Sequence, residues 1–228
     1  MKVAIHQPNY LPWIGYFDKM DQVDKFVILD KADHSKSGYI NRSKIKTPNG
    51  SLMLTVPLQN KEQPIHELQI AADQKWQLNH WKAIEANYKK SMYWLTYKDG
   101  FEQLYHDKWT HLAPFNIALI QHIQSLLNIR ADILLESDFK QDFGSKNERN
   151  INVVFHLGGD VYLSGIGARA YNDESQFHER QIQLIYQEFK HPIYPQRWGE
   201  FQPNLSIIDM LFHCGPETMN MIRQQRAH

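Results

Sequence analysis

The chain opens on a short apolar run, Val3-Ala4-Ile5, that stops at His6-Gln7-Pro8-Asn9-Tyr10-Leu11-Pro12-Trp13. Apolar residues then recur at Ile14, Phe17, Met20 and Val23, the spacing of one helical face, before a continuous apolar run, Phe26-Val27-Ile28-Leu29, ends in Asp30. A strand, a helix and a doubly buried strand predict a βαβ unit. The two strands then run parallel and present His6 and Asp30 at the same edge of a sheet, where open α/β sheets hold ligands.

Residues 34 to 57 follow another pattern. Tyr39-Ile40, Lys44-Ile45 and Leu52-Met53-Leu54-Thr55-Val56 are strand-like, with Pro48-Asn49-Gly50 as the turn, and predict an inserted antiparallel hairpin. Trp76 to Tyr88 and Phe115 to Leu127 carry apolar residues at helical intervals, the second with Pro114 near its start. Ala131 to Leu135 reads as a strand, and Ser145-Lys146-Asn147-Glu148 has the form of a capping box opening a helix that Gly158-Gly159 ends. Another strand runs through Val161-Tyr162-Leu163 into the turn Ser164-Gly165-Ile166-Gly167-Ala168. A further strand spans residues 182 to 189, prolines 192, 195 and 203 punctuate an extended stretch, and Leu205 to Cys214 and Pro216 to Arg226 are terminal helices. The expectation is a single α/β domain over residues 1–228, with a mostly parallel central sheet, flanking helices and the inserted hairpin.

Lys plus Arg equals Asp plus Glu at 25 each, so no global field draws this chain to nucleic acid or anionic membrane. No apolar stretch reaches the length of a membrane span, and three apolar residues between Lys2 and His6 do not make a signal peptide, which points to the cytoplasm. Cys214 is the one cysteine, excluding an internal disulfide, and at a helix end it reads as a buried, inert thiol. His80, His106, His111 and His122 lack metal-ligand spacing, so neither a metal nor a cofactor is expected.

The proline-flanked loop is the strongest candidate for a binding rim. Pro8 and Pro12 fix φ and push Gln7 and Leu11 toward extended geometry, stiffening the segment that carries Asn9 and Tyr10. The alternative is that Tyr10, Leu11 and Trp13 are a hydrophobic plug below the sheet and His6 a satisfied core histidine. The first arm of the hairpin is basic, with Lys36, Arg42, Lys44 and Lys46 and with Asn41 beside Arg42. It is either a solvated edge or an anion partner, for which the Arg42 fork is suited. Ser164, Gly165 and Gly167 follow a strand as an anion cradle would, and as a plain strand-to-loop transition also would.

The segment His6-Gln7-Pro8-Asn9-Tyr10-Leu11-Pro12-Trp13-Ile14-Gly15-Tyr16-Phe17 resembles the start of the WbqC-like protein family. The resemblance continues through Asn41-Arg42 with Ile45-Lys46-Thr47-Pro48-Asn49-Gly50, then Leu54-Thr55-Val56-Pro57 and Tyr162-Leu163-Ser164-Gly165 with Gly167-Ala168. It extends to His191-Pro192 with Tyr194 and Gln196, and from Phe201 through Leu205-Ser206-Ile207 to Gly215, so it covers nearly the whole chain. His34 departs from the pattern, which has a glutamine there, so no catalytic role is carried onto that imidazole.

The resemblance implies a bacterial cytoplasmic protein of O-antigen or other surface-polysaccharide biosynthesis, acting as a transferase that places an acyl or aminoacyl group on a nucleotide-linked amino sugar. The second partner implied is an activated acyl donor such as an acyl carrier protein. On that reading His6 is the general base and Asp30 orients it. Arg42 and Lys46, with Asn41, hold a diphosphate or phosphopantetheine phosphate, and Gln7, Asn9 and Tyr10 bond to the sugar. Ser164 and the backbone of Gly165 and Gly167 form an oxyanion or phosphate cradle. Two alternatives stay open. One is a nucleotidyltransferase-like enzyme with a HIGH-type fold, whose second signature histidine is missing near Pro12 and Trp13. The other is a non-catalytic sugar-binding or assembly module in which Tyr10, Trp13 and Tyr16 stack on the ligand. Convergence of His6, Asp30, Arg42 and Ser164 in one cleft favours an enzyme, and a shallow aromatic shelf favours binding alone.

Overall fold

The computed structural model describes residues 1–34, 38–73 and 75–226. The predicted βαβ unit is present as β1 (Lys2–His6), α1 (Ile14–Asp21) and β2 (Lys25–Ile28), with β1 and β2 parallel and His6 opposite Ile28. The hairpin follows as β3 (Arg42–Thr47) and β4 (Gly50–Thr55), a separate two-stranded sheet. Lys36, counted above in its basic arm, lies outside the described residues.

Three helices come next, α2 (Lys75–Tyr88), α3 (Trp94–His106) and α4 (Leu112–Leu126). The middle one was not anticipated. It buries Trp94, Phe101 and Tyr105, and Gly100 stands where the His122 ring of α4 comes so close that a Cβ would lie 2.3 Å from Cε1. The chain then alternates: β5 (Asp132–Leu135), α5 (Lys146–His156), β6 (Val161–Gly165), the short α6 (Glu174–Glu179) and β7 (Gln183–Gln187). Helices α7 (Ile207–Cys214) and α8 (Thr218–Arg223) close it. Helix α5 starts after Ser145 as expected, but the serine side chain makes no capping bond.

The main sheet has five parallel strands in the order β5-β2-β1-β6-β7. Successive residues of the inner strands enter different cores, as a two-residue period requires. Ala4, Phe26, Ile28 and Leu163 face a large core shared with α1, α4 and α7, whereas Val3, Ile5, Val27 and Tyr162 face a smaller one with Val153, Val154 and Phe177. The chain moves outward from β1 through β2 to β5 and then returns to β6 on the other side of β1. That reversal is a topological switch point, and it lies between β1 and β6.

Candidate functional site

The β1–β6 ladder runs from Lys2 opposite Val161 to Ala4 opposite Leu163 and stops there, while β6 remains paired to β7 as far as Gly165. Past Ala4 the two strands part, and the gap at their carboxyl ends opens into a crevice. It has two chambers. The larger, about 420 Å³, lies under the proline loop and is lined by His6, Gln7, Asn9, Tyr39 and Lys44 among others. The smaller, about 350 Å³, lies over the start of α1 and is lined by Tyr16, Lys19, Gly165, Gly167 and Gln187 among others. His6, Trp13 and Asn204 border both. Each volume is in the range of small-molecule sites.

Hydrogen bonds to the rest of the fold hold the loop. Asn116 of α4 donates to the carbonyls of Pro8 at 2.8 Å and Ile40 at 2.7 Å, and the Ser43 hydroxyl donates to the Leu11 carbonyl at 2.7 Å. The Tyr10 amide donates to the carbonyls of Tyr39 and Ile40, and the Ile207 amide of α7 to that of Pro12. Leu11 is not extended as its place before a proline predicts. Its φ is +39°, a left-handed conformation held by complete burial of its side chain and by the bond from Ser43.

The His6 ring sits where β1 ends and meets Tyr16 edge-on at 4.7 Å. Its Nδ1 lies 3.0 Å from the Gln7 carbonyl, which only accepts, so Nδ1 carries the proton and Nε2 is left as an acceptor. Burial, and then the Lys19 ammonium, lower its pKa to about 3. That corrects the picture of His6 as a base poised near neutrality: the imidazole rests neutral and offers a lone pair.

Asp30 does not orient His6. Its carboxylate accepts from the Ser137 amide at 2.9 Å on the β5 side and lines neither chamber. Gln7 and Asn9 do line the larger chamber. Tyr10 borders it too, but its hydroxyl is turned into the helical core, bonded to His80 at 2.8 Å and to Tyr105. Asn41 donates to the Val56 carbonyl at 2.9 Å, and with Arg42, His34 and Lys61 it borders a separate recess. Lys46 is buried, with its ammonium on Gln196 Oε1 at 2.9 Å and the Glu200 carbonyl at 2.5 Å. Among the described residues, the hairpin cation at the crevice is therefore Lys44. The Ser164 hydroxyl is buried and accepts from Asn172 at 3.1 Å, so of the glycine turn only Gly165, Ile166 and Gly167 reach the crevice. Cys214 is buried, which pushes its thiol up to about 11.

Neither discriminating pattern is complete, since Asp30 and Arg42 stay out of the cleft, while Tyr10 and Tyr16 are 0% and 1% exposed and form no aromatic shelf. The residue that sequence reasoning missed is Lys19. It follows Gly15 and Tyr16 by one helical turn, so helical spacing alone puts it beside them. The crevice thus holds two lysines, Lys19 and Lys44, and, among the described residues, no Asp or Glu lines it.

Comparison with known proteins adds two findings. The model of the WbqC-like protein family matches residues 7–221. The chain is also 36% identical, over 230 aligned residues and 99% of each chain, to the uncharacterized protein Rv1507c of Mycobacterium tuberculosis (strain ATCC 25618 / H37Rv).

Proposed function

This chain belongs to the WbqC-like protein family, and from that premise we propose that it is a surface-polysaccharide biosynthesis enzyme that transfers an acyl or aminoacyl group to a nucleotide-linked amino sugar in the crevice between β1 and β6. The observation that carries the reading is the lining of that crevice: two lysines, no carboxylate among the described residues, and a neutral imidazole at the shared wall. Such a lining suits a ligand with an anionic end and an uncharged, hydroxyl-rich end. Gln7 and Asn9 bond to the sugar in the larger chamber.

In the reaction the sugar amine attacks the acyl carbon of a thioester donor. The C–N bond forms, the C–S bond breaks, and the proton leaving nitrogen passes by way of His6 Nε2 to the departing thiolate. The imidazolium is transient: burial and the Lys19 charge both disfavour it in the free protein, and an anion on Lys19 would remove the second of these.

Purified protein incubated with UDP- or dTDP-linked 4-amino sugars and a panel of acyl and aminoacyl thioesters is expected to yield, by mass spectrometry, the amide adduct, and none with the 4-hydroxyl analogues. Nucleotide-sugar binding without an adduct from any donor would favour the non-catalytic module. The HIGH-type alternative keeps the doubly wound sheet, but the second signature histidine is missing, with Pro12 and Trp13 nearby instead.

A further inference from the structure

Lys19 is 4% exposed, and its ammonium has a single polar contact among the described residues, the Ile5 carbonyl at 3.5 Å. Among the described residues no carboxylate forms an ion pair with it; its chain neighbour Asp18 is taken by Arg226 at 2.8 Å and by Gln187 at 2.6 Å. Buried charges are ordinarily paired, so an ammonium left this way at the wall of a cavity marks the place of a missing anion. The Ile5 carbonyl is available because β1 and β6 have parted there, and the amine lies 3.7 Å from where a Cβ of Gly165 would stand. A Cβ at 165 would stand at ordinary contact distance from the amine, and one at 167 would meet nothing within 4 Å, so the turn leaves the approach to Lys19 open. The first turn of α1, with Gly15 and Tyr16 at the same chamber, has no acidic residue and no side-chain cap. Its positive end adds to the field of the lysine.

We propose that the smaller chamber is a diphosphate site and that Lys19 is its anion-binding residue, entered past Gly165 and Gly167. The identity of the ligand as a nucleotide sugar rests on the function proposed above; the anion site rests on Lys19 alone. A diphosphate here leaves the larger chamber, across the His6–Trp13 wall, for the sugar and its amine. The same phosphoryl chemistry could arrive on a phosphopantetheine donor, and the ligands tested distinguish the two.

The test is isothermal titration of inorganic pyrophosphate, UDP, a UDP-linked sugar and phosphopantetheine into the wild-type protein and into Lys19→Met and Gly167→Asp. The second variant sets a carboxylate in open space at the entrance and so does not depend on a core substitution being tolerated. Pyrophosphate and UDP are expected to bind the wild type, with affinity falling about tenfold to a hundredfold in both variants, the range for losing a charge-assisted hydrogen bond. Equal affinity of wild type and Lys19→Met, or no binding of any phosphorylated ligand to the wild type, would overturn the proposal. If pyrophosphate binding depends on Lys19 but UDP and the UDP-sugar bind no more tightly than pyrophosphate, the anion site stands and the nucleotide-sugar reading fails. Lys19-dependent binding led by phosphopantetheine would support the anion site and assign it to the donor.

Discussion

The Lys19 ammonium and the His6 imidazole share one end of the crevice, and the lysine's charge, second only to burial, holds the imidazolium down to about 3. Burial lowers Lys19 itself from 10.5 to about 8. Both groups therefore give up their proton more readily in the folded chain than in the unfolded one.

This relationship fixes the sign of two pH effects. Between pH 6.5 and about 3 the unfolded chain binds a proton at position 6 that the native chain refuses, so stability falls as pH drops through that window. Between about 8 and 10.5 the unfolded chain still holds the Lys19 proton that the native chain has released, so stability rises with pH there. At ~1.4 kcal/mol per pKa unit the Lys19 contribution is at most a few kcal/mol. Urea midpoints against pH should show Lys19→Met more stable than wild type below pH 8, the two curves closing on one another as pH rises toward 10.5. Parallel curves across this window would mean that the native lysine keeps its proton as the unfolded one does, its pKa not lowered by burial.

Trp13 and Gly15 form a second coupled pair. The indole lies over the glycine, so that a Cβ at position 15 would stand 2.3 Å from Cη2, and the ring packs edge-on against Phe189 at 5.0 Å. Gly15→Ala should therefore cost about 1–3 kcal/mol by displacing the ring, as overpacking does. In a Trp13→Ala background the same change should be neutral or stabilise by up to about 1 kcal/mol, because alanine is the better helix former. A double-mutant cycle by urea denaturation reads this coupling, and additive costs would show that the ring does not restrain position 15.

Lys46 and Arg42 were expected to hold phosphate, but neither lines the crevice. Lys46 ties the hairpin to the segment before α7 through Gln196 and Glu200, beside the Asp209 carboxylate that accepts from Tyr88 at 2.9 Å and Tyr194 at 2.8 Å. Lys46→Met should lower stability by about 1–3 kcal/mol, the cost of leaving a buried acceptor unsatisfied. In protein that remains folded, neither Lys46→Met nor Arg42→Ala should change UDP affinity by calorimetry. A selective loss of affinity in either variant would return the hairpin to the site.

The strands of the sheet were legible because a run of apolar residues between turn signals suits a doubly buried strand, whereas the proline loop, expected as a polar rim, is largely packed, with Asn9, Tyr10 and Leu11 all buried. Helix α3 escaped notice because Gly100 and the charged pair Lys98-Asp99 interrupt its apolar stripe, although Trp94, Tyr97, Phe101 and Leu104 keep helical spacing. Sequence order brings Asp30 to the correct edge of the sheet, yet only tertiary structure decides that its carboxylate turns to Ser137 rather than His6. Lys19 was hidden for the converse reason. A lone lysine in a short helix looks like surface, and its burial is created by β6, which follows it by more than a hundred residues and arrives beside β1 only through the switch in strand order.

His6 is the residue through which the proposed chemistry is most directly tested. Its Nε2 is the acceptor at the wall common to both chambers, with Nδ1 held on the Gln7 carbonyl at 3.0 Å and the ring against Tyr16. Glutamine at this position keeps a hydrogen-bonding group but cannot take the proton that leaves the attacking amine. With the transfer assay in place, His6→Gln should retain the fold and nucleotide affinity while lowering the single-turnover rate by about 10²–10⁴. Because the wild-type imidazole is already neutral above about pH 3, the rate profile of the wild type should show no limb near 6.5 attributable to this residue in the unliganded protein. A melting temperature that falls while the rate per folded molecule holds would make His6 a packing residue of the β1 terminus and remove it from the reaction.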